Sequence, residues 1–132
     1  MIFVDTSFWI ALRLRRDGHH DAAVALARAH ADAPLITTNH VRGETWTFLR
    51  RRAGHDSAVH FLDALQRSPR IEVLQVDDDA ERDALGWLRR HDQREYSFVD
   101  ATSFAVMRAR RIREALAFDG DFAAAGFVEL RT

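Results

Sequence analysis

Twice in this chain an apolar run too short for a helix stops on an aspartate. Ile2-Phe3-Val4 leads into Asp5, and Ala115–Phe118 leads into Asp119. Short apolar runs of this kind read as strands buried on both faces. A charge at such a place costs free energy unless something pairs with it. The chain must therefore bury these strands between other layers and leave their acidic ends at an edge where a partner can reach them.

The segments between supply the layers. Thr6 or Ser7 can cap a helix running to about Arg16. Asp17-Gly18 breaks the pattern, and His20–Ala31 reads as an alanine-rich helix. Leu35-Ile36-Thr37 is a short strand. Asn39 can cap a helix through about Arg52, followed by another over about Ser57–Gln66. Ile71–Val76 alternates like a strand. Asp77 or Asp78 starts a helix to about His91, and Ser97 starts one through about Arg110. Ala115–Phe118, a helical turn over Asp119–Ala124 and the strand Phe127–Leu130 complete the chain. Strands alternating with helices predict an α/β fold with a mainly parallel sheet, in a single domain spanning residues 1–132. In open sheets of this class, ligands bind beyond the carboxyl ends of the strands. Asp5 and Asp119 are expected to meet there.

Composition narrows the chemistry. With 132 residues the chain can build a proper core, and its apolar content argues against disorder. The absence of cysteine removes disulfides, zinc–thiolate sites and thiol nucleophiles, and fits a cytoplasmic protein. No basic leader and no run of membrane-spanning length stands out, so no membrane association is expected. The net charge is −1, and all 19 basic residues are arginine. Arginine forks suit phosphate, and they cluster at Arg50–Arg52 and at Arg108, Arg110, Arg111 and Arg113.

Four acids stand beside large apolar residues: Asp5 in FVDTS, Glu44 in TTNHVRGETW, Asp100 in SFVDATSF and Asp119 in LAFDGDF; Asp121 is an optional fifth. Each also has a structural reading. Asp5 and Asp119 could be helix caps, and Asp100 could complete a capping box with Ser97. Glu44 could pair with Arg42 or Arg50. Jointly those readings weaken, because converging carboxylates must be neutralised by protons or by a cation. Oxygen-only ligands favour a hard divalent ion, Mg²⁺ or Mn²⁺. Aspartyl-phosphate chemistry relies on a lysine that this chain lacks. Metal-assisted attack of water on a phosphodiester needs only carboxylates, metal and a phosphate-binding surface. The seven histidines include no i, i+4 pair, and no G-x-S-x-G elbow occurs. Asp77–Asp79 reads as the acidic start of a helix.

With these motifs in this order, the chain resembles the PIN-domain nucleases, and among them the VapC-type toxins of toxin–antitoxin pairs. The resemblance covers residues 2 to about 130. It implies a PIN-like three-layer α/β/α sandwich. It places Asp5, Glu44, Asp100 and Asp119 around a Mg²⁺ or Mn²⁺ site, with Asp121 at a position where only some members carry an acid. It implies that Thr6 or Ser7 supports the first acid. The implied activity is hydrolysis of RNA phosphodiesters, leaving 5′-phosphate and 3′-hydroxyl ends. The implied partners are an RNA substrate, a cognate antitoxin and a second copy in a homodimer. Arg42 and Arg50–Arg52 are candidates to hold the RNA backbone. Trp9, Trp46 and Phe48 are candidates for the antitoxin contact, although the apolar run Phe8–Leu12 reads equally as core. A housekeeping PIN nuclease and a non-cutting RNA- or protein-binding module are the alternative functions.

Overall fold

The computed structural model describes residues 1–132. Five strands form one sheet: β1 (Ile2–Val4), β2 (Leu35–Thr38), β3 (Ile71–Leu74), β4 (Glu114–Leu116) and β5 (Val128–Glu129). Their order across the sheet is β3-β2-β1-β4-β5, and every pairing is parallel. Seven helices connect them: α1 (Thr6–Arg13), α2 (His20–Ala29), α3 (Asn39–Ala53), α4 (His55–Arg67), α5 (Asp78–Arg90), α6 (Phe98–Arg110) and α7 (Asp121–Ala124).

The chain winds outward from β1 to β3, then crosses back to β4 and β5. Right-handed crossovers therefore put α1–α4 on one face and α5–α7 on the other. The packing agrees: α3 lies against α1 and α4, and α6 against α5 and α7. This is the expected three-layer sandwich. The direction of winding reverses between β1 and β4, which makes the carboxyl ends of those two strands the switch point of the sheet. The central strands β1 and β2 are buried throughout, as continuous apolar runs require.

Several boundaries differ from the sequence reading, each for a local reason. Of the offered caps for α1, Asp5 is the one used, not Thr6 or Ser7; the Asp5 carboxylate accepts from the Ser7 N–H at 3.1 Å. α1 ends at Arg13, not Arg16, because Leu14 leaves the helix and packs against the core. α3 is capped by Thr38, whose hydroxyl accepts from the Val41 N–H at 3.1 Å. Asn39 instead ties down the chain after β3, accepting from the Val76 N–H at 2.8 Å, which takes Val76 out of the strand. β4 stops at Leu116 because the Phe118 N–H donates to the Ser7 hydroxyl at 3.0 Å instead of to a strand. Asp77 caps α5 as expected, accepting from the Ala80 N–H at 2.9 Å.

The α1 run Phe8-Trp9-Ile10-Ala11 is buried. Trp9 packs edge-on against Phe61 of α4, with ring centroids 5.7 Å apart. Trp9 is thus a core residue, which removes it from the candidate partner contacts. Trp46 and Phe48 remain partly exposed.

Candidate active site

The carboxyl edge of β1 and β4 opens into a cleft of about 430 Å³, and Asp5, Glu44, Asp100, Asp119 and Asp121 all line it. Chain segments far apart in sequence deliver them. Asp5 follows β1, whose Val4 is in register with Leu116 of β4. The Asp5 N–H donates to the Leu116 carbonyl at 3.0 Å, which fixes the carboxylate beside the turn that carries Asp119. Asp100 enters from the first turn of α6, and Glu44 from α3.

Asp5 is both a cap and a member of the cleft. One oxygen, Oδ2, accepts from the Ser7 N–H and from the Ser7 hydroxyl at 2.7 Å. Ser7 is therefore the hydroxyl that supports the first acid; the Thr6 hydroxyl is buried without a partner. Asp100 likewise has two roles. Its Oδ2 accepts from the Ser97 N–H at 3.0 Å, and Ser97 Oγ accepts from the Asp100 N–H at 2.9 Å, a complete capping box. In both residues the hydrogen bonds hold Oδ2, so Oδ1 is the atom left for another ligand.

Asp119 and Asp121 flank Gly120, whose φ of 81° is the left-handed backbone that glycine adopts freely. That turn lets Asp119 accept from the Asp121 N–H at 3.1 Å while both side chains reach the cleft. Carboxylate oxygens of Asp100, Asp119 and Asp121 lie within 4.8 Å of one another. Glu44 is exposed on the cleft wall and makes no ion pair with Arg42, Arg50 or any other residue.

Crowding shifts the protonation of these groups. Burial, and then the charge of Asp119, pushes Asp5 up to about 7 against the pull of the Ser7 hydrogen bonds. Burial, with Asp121 and Asp119 nearby, raises Asp100 to about 6 despite the Ser97 N–H. Asp119 is raised too, chiefly by burial. Oxygen donors in close array, two of them nearly buried and short of positive charge, fit a hard divalent cation.

One cation does reach the cluster, and no local pattern of residues signals it. Arg94 Nε donates to Asp121 Oδ1 at 2.6 Å, and its Nη2 donates to the Asp119 carbonyl at 3.1 Å. It sits in a polar loop with no periodicity, so only the folded chain brings it here. Glu95 is a further acid on the cleft wall that the sequence reading did not single out. The arginine candidates divide. Arg51 and Arg52 line a groove adjoining the acidic cleft, whereas Arg42 lies against Leu62, Leu65 and Val73, away from it. Arg108 and Arg110 pair with Asp83 and Glu72, each at 3.0 Å.

Comparison with known proteins meets this geometry. The PIN-domain family model matches residues 2–128. The 23S rRNA-specific endonuclease VapC20 of Mycobacterium tuberculosis is 56% identical over 99% of this chain and 98% of its own length. A VapC ribonuclease of Archaeoglobus fulgidus is 27% identical over 90% of this chain and 77% of its own. The crystal structure of the Mycobacterium tuberculosis VapC20, described as a sarcin–ricin loop cleaving toxin, superposes with a TM-score of 0.92 at 54% identity, covering all of both chains. The chain belongs to the PIN-domain family. Within that family it stands with the VapC ribonuclease toxins, as the ordered motifs imply.

Proposed function

We propose that this chain is a metal-dependent endoribonuclease toxin that cuts 23S rRNA in the sarcin–ricin loop and is held in check by a cognate antitoxin. The observation that carries the reading is the convergence of Asp5, Asp100, Asp119 and Glu44 in one cleft of a chain 56% identical to VapC20. That relative's name and its structure's description supply the RNA target.

In this reading Asp5, Asp100 and Asp119 hold Mg²⁺ or Mn²⁺, with Asp121 as an additional ligand once Arg94 yields it. Bound there, the ion supplies a Lewis acid that offsets phosphate charge and makes water more acidic. Ser7 and the Ser97 N–H hold one oxygen of Asp5 and of Asp100, so each carboxylate meets its ligand already oriented. Glu44, on the open wall, is placed to orient the attacking water. Arg51 and Arg52 neutralise RNA phosphates along the adjoining groove. Residues 1–132 act as one domain, the chain works in the cytoplasm where ribosomes are, and it forms a homodimer. No helix is long and apolar enough to cross a membrane.

Purified protein incubated with ribosomes tests this. Cleavage mapped by primer extension should give one cut in the sarcin–ricin loop with Mg²⁺ or Mn²⁺, and none with EDTA or with Asp100→Asn. Cuts confined to other RNAs would overturn the target. No cleavage by folded, antitoxin-free protein would overturn the enzyme.

A further inference from the structure

Beside the acidic cleft lies a larger open groove of about 930 Å³ between α3 and the start of α6. It shares Glu44 and Phe48 with the cleft, so the two are one continuous surface. Phe98 lines it and is 40% exposed, the only aromatic residue among the exposed large hydrophobic side chains. Phe98 is not one of the buried core residues; its one aromatic neighbour is His40, tilted at 32° with centroids 5.9 Å apart. The far end of the groove carries Arg51 and Arg52, and neither makes an ion pair. The Arg52 guanidinium instead lies 5.1 Å from the centre of the Phe48 ring.

We infer that this groove receives one unstacked base of the RNA substrate, seated against Phe98 and Phe48, with the neighbouring backbone phosphates held by Arg51 and Arg52. The inference rests on the endoribonuclease reading and adds to it a subsite that selects the nucleotide presented beside the scissile phosphate. Three observations favour RNA here. Aromatic rings offer π-faces on which a splayed base stacks, and arginines without an acidic partner supply the charge that phosphates need. The groove opens directly into the acidic cleft, so a strand lying in one enters the other. A second copy of the chain seated here would cover Glu44 and close the cleft wall to a polymer.

The test uses an RNA hairpin carrying the sarcin–ricin loop, cut by wild type, Phe98→Leu and Phe98→Tyr. Leucine keeps apolar bulk and loses the ring; tyrosine keeps the ring. Stacking on one aromatic side chain is large enough for Phe98→Leu to raise KM about tenfold, with kcat within about twofold of wild type and Phe98→Tyr close to wild type. An abasic scan of the loop should find one position whose loss penalises wild type and Phe98→Tyr but adds nothing to Phe98→Leu. Equal KM for all three proteins would overturn the subsite. So would sedimentation showing that Phe98→Leu turns a dimer into a monomer, which would make the groove an interface between copies. Failure of the wild type itself to cut the loop, as the hairpin or within ribosomes, would overturn the endoribonuclease reading instead.

Discussion

Two buried carboxylates at strand ends have opposite company. The Glu129 side chain, in β5, is 2% exposed, and both its oxygens are engaged: Arg131 donates at 2.7 Å and the Ala123 N–H at 3.0 Å. Asp5, after β1, is 2% exposed as a residue, yet its neighbours are a serine and further acids, and burial drives it up to about 7. The same sheet thus treats one acid as a structural ion pair and leaves the other short of positive charge. An acid in that state on an open cleft fits the proposed metal site. The contrast sets the β1–β4 switch point, the edge that the proposed function uses, apart from the β5 edge, although both carry buried acids.

The largest expected effect is on chemistry. Asp100→Asn keeps the capping acceptor and removes the charge, so RNA cleavage should fall by about a thousandfold or more, while circular dichroism and melting show an intact fold. Full activity in that variant would break the contrast at its reactive end.

The next effect reads the crowding itself. Asp5, Asp100 and Asp119 all hold protons more tightly folded than unfolded, so they favour the ion-free native state at low pH; Asp100 and Asp5 lose that contribution as pH rises through about 6 and about 7 respectively. Ion-free protein should be less stable at pH 8 than at pH 5 by on the order of 2–3 kcal/mol in urea titrations. Asp5→Asn should flatten much of that slope, and saturating Mn²⁺ at pH 8 should restore the stability.

Arg131→Ala would make Glu129 resemble Asp5. Leaving that carboxylate buried without its arginine should cost about 1–3 kcal/mol, the exposed side of the pair moderating the loss. Glu129→Gln in the same background should recover part of it in a double-mutant cycle. A loss no larger than a surface pair's would show that Glu129 is held by the backbone alone.

The smallest effect concerns Arg94, which in the proposed function competes with the ion for Asp121. Arg94→Ala should tighten Mn²⁺ binding by a few-fold, read by calorimetry, with little change in melting. Weaker binding would show that Arg94 orders the turn rather than competing.

Much of the fold was legible because its signals are local. The apolar runs of β1 and β2, the Ser97–Asp100 box and the acidic start of α5 all depend on residues within one turn. Asp5, Asp100 and Asp119 were legible because each breaks an apolar context, whereas Glu44 stands between Gly43 and Thr45 and was picked out by its motif. What was not legible depends on contacts across the chain. Adjacent cap candidates, Asp5 against Thr6 or Ser7 and Thr38 against Asn39, are decided by where the strand ends. Trp9 became core because Phe61 of α4 covers it, and no spacing in α1 foretells that. Arg94 reaches the acids only once the loop before α6 lies along the turn after β4. Phe98 looked like one more apolar residue in SFVDA until the fold left it facing open space.

The central claim is that the crowded acids hold a divalent cation. Calorimetric titration of Mn²⁺ into folded, ion-free protein near pH 7, in two buffers of different ionisation enthalpy, tests it most directly. Saturable binding that releases protons, because Asp5 and Asp100 are raised toward that pH, and that disappears in Asp100→Asn, is the predicted result. No saturable binding to wild type, together with RNA cleavage that persists in EDTA, would contradict it.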